Sequence, residues 1–155
     1  MKLAIRSIAL AVCLLAVAGT ARAELAAWDQ AKVTELAQQL EAETTRLFRT
    51  FRDRQQPTLG SSQRLPYHRL KQEVRFLRRE SRTLSQALQR GAGFDETLPS
   101  YETMMQTVRR AQNNARSVFT TADMQESADA TRAILNQLGP FYDANFSATD
   151  PPARR

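Results

Sequence analysis

The stretch PYHRLKQEVRFLRRESRTLSQALQRG, residues 66–91, decides the fold. Its apolar side chains recur at every third or fourth residue, which places them on one side of an α-helix. They keep strict heptad steps, so they form a narrow seam suited to packing against another helix. We predict a helix that begins at Pro66 and ends at Gly91. The seam consists of Leu70, Val74, Leu77, Ser81, Leu84 and Leu88.

Three more helices are predicted from the same periodicity. One precedes the stretch above, begins after Asp29 as its N-cap and stops before a loop rich in Pro, Gly and Ser. The third helix begins after Ser100, and the fourth begins after Asp123 and ends at Gly139-Pro140. The predicted inward residues are Val33, Leu36, Ala37, Leu40, Thr44, Leu47, Phe48 and Phe51 in the first, Tyr101, Met104, Met105, Val108, Ala111, Ala115, Val118 and Phe119 in the third, and Met124, Ala128, Thr131, Ile134, Leu135 and Leu138 in the fourth.

Four amphipathic helices with no alternating strand pattern indicate an all-α chain. Because the loops between them are of ordinary length, we predict an antiparallel up-down-up-down four-helix bundle over residues 24–146. Residues 147–155 are predicted to be a flexible C-terminal tail.

The aromatic residues just after the fourth helix are expected to fold back onto the bundle. These are Phe141, Tyr142 and Phe146, and we expect Trp28 to cover the same end by contacting Phe141 and Phe146. The alternative is that Trp28 is an exposed contact for a membrane or a partner.

The N-terminus has the pattern of a secretory signal. Lys2 and Arg6 precede an apolar run of about a dozen residues, which is shorter than the roughly 20 needed to span a bilayer. Small residues at Ala21 and Ala23 suit signal peptidase, so we predict a signal peptide at residues 1–23 that is cleaved after Ala23. A retained anchor is one alternative, and a lipoprotein acylated at Cys13 is another.

Removal of the predicted signal changes the composition. Losing 23 of the 155 residues leaves 132 and takes away three bases and no acid, so the formal charge falls from +6 to +3. Cys13 is the one cysteine of the chain, and the mature protein therefore has no disulfide, thiolate metal site or cysteine nucleophile. We expect the mature chain to be periplasmic or secreted, without a transmembrane span.

The charges are unevenly distributed along the mature chain. Residues 24–45 contain one base and five acids, residues 46–90 contain twelve bases and three acids, and residues 91–153 contain four bases and eight acids. One interpretation is that the basic segment is neutralised by acidic neighbours at its flanks. The other is that it forms a basic face for an anionic partner.

The bases of the second predicted helix form a stripe beside the seam. Lys71 and Arg78 are at heptad positions that meet acids of a neighbouring helix, while other bases point further outward. More bases lie in the last turns of the first helix, where the helix dipole favours cations. The candidate surface for an anionic partner consists of Arg49, Arg52, Arg75, Arg79 and Arg82.

An acidic envelope protein, an anionic lipid head group and an anionic polymer are the partners that this surface suits. Nucleic acid is not expected, because the chain is exported, its mature charge is modest and Phe76 is the only aromatic among these bases.

No residue pattern indicates catalysis or a resident cofactor. The single histidine, His68, has no neighbouring carboxylate in sequence, and the Glu-x-x-His pairs of di-iron bundles are missing. One alternative is haem held between His68 and a methionine, with Met124 as the partner nearest the same bundle end, but methionines at core spacing are usually packing residues. We therefore predict no catalytic, cofactor-binding or metal-binding residues.

The sequence favours a non-catalytic exported helical bundle that serves as a binding or structural component of the cell envelope. A periplasmic four-helix carrier of a small ligand, such as haem, a metal or a lipid, is the alternative hypothesis.

Overall fold

The structure is a computed structural model, and it describes residues 25–53, 61–118 and 121–143. The predicted signal peptide, the predicted tail, and the predicted positions of Phe119 and Phe146 lie outside these residues.

Four α-helices make up nearly all of the described chain. They are α1 at Gln30–Asp53, α2 at Ser61–Gln89, α3 at Phe94–Ala115 and α4 at Ala122–Leu138. A 3₁₀ turn at Gly139–Phe141 follows α4, and the described ranges contain no strand. The predicted all-helical, four-helix architecture is confirmed.

Two helix ends have the capping that the sequence predicts. Asp29 caps α1, because its Oδ1 accepts a hydrogen bond of 3.0 Å from the backbone N–H of Lys32. At the end of α2, Gly91 adopts a positive φ of 87°, which is open to glycine without strain. The N–H of Gly91 then donates to the carbonyl of Leu88, and that of Ala92 donates to the carbonyl of Ala87, which is the hydrogen bonding of a Schellman motif.

The predicted starts of α2 and α3 are wrong. The helix α2 begins at Ser61 and α3 at Phe94, so Pro66 and Pro99 lie inside the helices rather than at their beginnings. An internal proline removes one backbone hydrogen bond, and packing upstream of it can offset that loss. In α3 the packing is visible, since Phe94 and Leu98 contact the core and Thr97 is fully buried.

The sequence also places the N-cap of α4 two residues too late. Its N-cap is Thr121, whose carbonyl accepts a hydrogen bond of 3.0 Å from the N–H of Gln125. Asp123 instead lies in the first turn, where the positive end of the helix dipole favours a carboxylate.

The helices pack around α1 and α2. The helix α2 contacts both α1 and α3, and α4 packs against α1. Near the start of α1, the Ala26 N–H donates to the Pro140 carbonyl beyond the end of α4, at 2.8 Å. In the same region, the side chain of Gln30 donates to the carbonyls of Leu88 and Ala92 at the end of α2, at 3.1 and 3.2 Å.

The interior contains two apolar clusters. The larger one lies around Leu40, Leu84, Met104 and Leu135, and the smaller one joins residues near the other end of α1. The smaller cluster consists of Leu47, Phe51, Tyr67, Leu70, Val74, Val118 and Met124. The whole predicted seam of α2 is buried, with no member more than 4% exposed.

The aromatic end of the bundle differs in detail from the expectation. Trp28 packs edge-on against Phe94 and Tyr142, with ring centroids 5.8 and 5.5 Å apart. Tyr142 is buried and stacks on Tyr101 at 4.3 Å. The described part of the segment after α4 therefore folds back as predicted, with Tyr142 as the residue that Trp28 contacts. Phe141 is half-buried against the same cluster.

Candidate anionic-partner surface

The acids and bases of α2 point to different sides of the helix. Its two glutamates are recessed, with side chains only 16% exposed at Glu73 and 14% at Glu80. By contrast, the side chains of Arg79 and Arg82 are 67% and 68% exposed. The outward side of α2 is therefore basic, although the helix also carries acids.

Among the described residues, two interhelical ion pairs neutralise bases of the basic segment, and another joins one of its acids to α3. Arg46 of α1 contacts Glu126 of α4 at 2.7 Å, and this hydrogen-bonded partner raises the pKa of Arg46. Arg110 of α3 contacts Glu73 of α2 at 3.1 Å. The third pair, between Arg82 of α2 and Glu41 of α1, is looser at 3.9 Å. The first and third pairs agree with the interpretation that the basic segment is neutralised by acidic neighbours at its flanks.

Two of the predicted surface arginines have no carboxylate partner in the part of the chain that the structure describes. Arg75 and Arg49 are both exposed, and neither makes an ion pair there. Arg52 is also exposed, in the last turn of α1. The charges of Arg75 and Arg49 are available at the surface.

Arg79 is partly engaged by its own helix. Its Nε and one terminal nitrogen donate to Oε1 of Glu80 at 3.0 and 2.9 Å. Its guanidinium carbon also lies 5.1 Å from the centroid of the Phe76 ring, within the range of a cation–π contact. Because Arg79 is 67% exposed, an anion in solvent can reach its guanidinium beside Glu80.

Arg78 was expected to meet an acid of a neighbouring helix, and it contacts an aromatic ring instead. Its guanidinium carbon lies 4.1 Å above the centroid of Phe48 on α1. A planar guanidinium stacks well on an aromatic face, and this contact covers the half-buried Phe48. Arg78 thus belongs to the α1–α2 contact.

The candidate surface also includes an exposed aromatic residue. Phe76 is 39% exposed, and together with Gln72, Arg75, Arg78 and Arg79 it lines a shallow depression on α2. The sequence signal for Phe76 is its place in the helical projection, between the bases and away from the heptad seam. The sequence interpretation gave it no role at the surface.

The residues considered for haem are not brought together by direct contact. His68 is exposed, and its ring lies edge-on to Tyr67 at 6.3 Å. Met124 is buried in the smaller cluster, and Met104 in the larger one. No group of three or more His, Cys, Asp or Glu residues that could hold a metal ion is found within residues 25–53, 61–118 and 121–143.

Comparison of the chain with protein-family models, with curated proteins and with solved structures finds no match. No helix within the described ranges is both long and apolar enough to cross a bilayer.

Proposed function

We propose that the protein is an exported, non-catalytic antiparallel up-down-up-down four-helix bundle that acts as a binding or structural component of the cell envelope. After cleavage behind Ala23, the mature chain is periplasmic or secreted. Its Arg-rich surface on α2 and the end of α1 takes an anionic partner, with Arg75 and Arg79 nearest its centre.

The observation that carries this proposal is the separation of charges on α2. Glu73 and Glu80 are recessed at one flank, whereas Arg75, Arg79 and Arg82 face solvent. Arg75 has no carboxylate partner in the described part of the chain, and Arg82 reaches Glu41 of α1 only at 3.9 Å, so internal ion pairs do not occupy these bases fully. An outward set of arginines suits phosphates and carboxylates, which the guanidinium fork binds with two hydrogen bonds.

The order of contacts along the helices supports the antiparallel arrangement. The start of α1 reaches the end of α2 through Gln30, and Glu73 near the middle of α2 pairs with Arg110 late in α3. Arg46 in the second half of α1 pairs with Glu126 early in α4. In the first and third cases, a residue early in one helix of the pair meets a later part of the other.

The test of the binding surface is a triple charge reversal, Arg75→Glu with Arg79→Glu and Arg82→Glu. The matched control reverses three exposed arginines elsewhere, Arg90, Arg109 and Arg116, so both variants change the net charge by the same amount. We expect the first variant to lose retention on isolated cell envelopes and the control to keep it. Equal retention of the two variants would contradict the proposal that this surface binds the partner.

Export is tested separately by the intact mass of the protein recovered after expression of the whole chain in a bacterium with two membranes. A mass equal to residues 24–155 in the periplasmic extract or the medium is expected. Recovery of the uncleaved chain from the cytoplasm would contradict the proposal.

A further inference from the structure

Two of the large apolar side chains exposed in the described part of the chain lie on the outward side of α2. Leu65 is 58% exposed and Phe76 is 39% exposed. They are eleven residues apart, which is three helical turns, so they lie on the same side of the helix about 16 Å from each other. Neither side chain belongs to the two core clusters.

Arginines surround these two apolar residues. Arg64 and Arg69 are exposed on the turns beside Leu65, and Arg75 and Arg79 are exposed beside Phe76. Of the two acids of α2, Glu73 pairs with Arg110 of α3, and Glu80 is recessed beside Arg79, which it contacts at 2.9 Å. The strip is thus basic with two apolar side chains in its middle.

The shape of the strip indicates the kind of partner. It follows one helix for about 21 Å, and the depression beside Phe76 is shallow. A small ligand or a peptide side chain needs a pocket, whereas a broad planar partner can contact both apolar residues and all of the bases together. A bilayer surface has that form, with phosphates at the level of the bases and acyl chains beneath.

We propose that this strip docks the protein on a bilayer surface that contains anionic phospholipids. Arg64, Arg69, Arg75 and Arg79 bind the lipid phosphates through their guanidinium forks. Leu65 and Phe76 enter the boundary between head groups and acyl chains, as apolar residues of surface-bound amphipathic helices do. The inference rests on the proposed function, because it names the anionic partner of the same surface.

The test uses the exported protein and two kinds of vesicle, one of phosphatidylcholine alone and one in which roughly a quarter is phosphatidylglycerol. Co-sedimentation is expected only with the second kind. Arg75→Glu with Arg79→Glu should weaken binding by about fivefold or more for each base reversed, because a base beside an anionic surface contributes about that factor. The matched control is Arg109→Glu with Arg116→Glu on the α3 side, which should bind as the wild type does.

A second variant separates lipid docking from simple charge attraction. Leu65→Ser with Phe76→Ser keeps every charge and should weaken vesicle binding about tenfold, since it removes only the inserting side chains. Both residues are exposed, and circular dichroism melting curves check that the fold persists. Unchanged binding of this variant would overturn the inference.

The outcomes for the inference and for the proposed function are distinguishable. If the triple reversal loses envelope retention but vesicles with phosphatidylglycerol are not bound, the lipid inference is wrong and an acidic protein or polymer is the partner. Polyglutamate and the phosphatidylglycerol vesicles can also be compared as competitors that release the protein from envelopes. Equal release by the two would count against a lipid surface. Envelope retention that is insensitive to the triple reversal would reject the proposed function itself.

Discussion

The hydroxyl oxygens of Thr44 on α1 and Ser81 on α2 lie 2.7 Å apart, in a position where both residues are fully buried. Each hydroxyl also approaches a backbone carbonyl of its own helix, Leu40 at 2.8 Å from Thr44 and Arg78 at 3.0 Å from Ser81. The small size of both residues lets α1 and α2 approach closely at this level. A hydrogen bond between two buried hydroxyls then fixes the register of the two helices.

Removal of either hydroxyl is predicted to destabilise the protein, and the effects of the two removals are predicted to be coupled. Ser81→Ala and Thr44→Val should each lower the free energy of unfolding by about 1 kcal/mol, because each leaves a buried hydroxyl short of a partner. The double variant should lose clearly less than the sum of the two. Urea unfolding of the four proteins measures this coupling.

The control for this double-mutant cycle of Thr44 and Ser81 is Thr103→Val. Thr103 is exposed and its hydroxyl makes the same kind of bond to the carbonyl four residues earlier, at 2.9 Å from Pro99. Its replacement should change stability by less than about half a kcal/mol. Strict additivity of the Thr44 and Ser81 changes would contradict the proposed coupling.

Gln30→Ala is predicted to loosen the end of the bundle. The Gln30 side chain donates to the Leu88 and Ala92 carbonyls and accepts a hydrogen bond of 3.0 Å from Nε1 of Trp28. Loss of these contacts should reduce the free energy of unfolding by about 1–2 kcal/mol. The control is Gln38→Ala, an exposed glutamine of the same helix, which should be nearly neutral. Equal effects of the two changes would argue against a capping role for Gln30.

Tyr142→Ala is predicted to detach the segment after α4 from the bundle. Tyr142 stacks on Tyr101, and its hydroxyl lies 2.8 Å from that of Thr97. The change should lower the free energy of unfolding by about 3–5 kcal/mol, whereas Tyr142→Phe keeps the packing and should lose about 1 kcal/mol. Fluorescence of Trp28, the only tryptophan, reports the detachment as a shift to longer wavelength. An unshifted spectrum in Tyr142→Ala would show that Trp28 does not depend on Tyr142.

Stability is predicted to decrease in alkaline solution. Burial raises the pKa of Tyr67, Tyr101 and Tyr142, the three tyrosines of the chain, above the ordinary value of 10.0. The folded state therefore holds its phenol protons more tightly than the unfolded state does. The contribution of these tyrosines to the free energy of unfolding is constant below pH 10. It decreases as the pH rises above 10, because the unfolded chain then binds fewer protons than the folded one.

The measurement is the melting temperature at pH values below and above 10, together with the absorbance of tyrosinate. Tyrosinate should appear only as the protein unfolds. Tyr142→Phe should make the alkaline decrease less steep. A midpoint of tyrosinate formation near pH 10 in the folded protein would contradict this prediction.

The burial pattern was predictable because it depends on spacing alone. Each heptad residue from Leu70 to Leu88 is buried, as the 3.6-residue period requires. The helix starts were less predictable, because a proline is a local preference that packing by residues such as Phe94 can override. The contact of Arg78 with Phe48 was missed for a related reason. A base beside the seam contacts the residue of the neighbouring helix that lies opposite it. Helical spacing within one helix does not tell which residue that is.

The candidate surface was predictable in part. Helical spacing alone places Arg75 and Arg79 outward. The engagement of Arg82 with Glu41 and the roles of Leu65 and Phe76 needed the packed structure, since an exposed apolar residue stands out only when the core is known.

The most direct test of the central claim is photo-crosslinking from the candidate surface inside living cells. A photo-reactive phenylalanine derivative takes the place of Gln72, which lines the depression beside Phe76. The control position is Gln106, an exposed residue of α3. The account predicts an adduct with an envelope component from position 72 and none from position 106, and loss of the first adduct when Arg75 and Arg79 are reversed to Glu. Absence of any adduct at position 72, or equal adducts at both positions, would contradict the claim that this surface meets the partner.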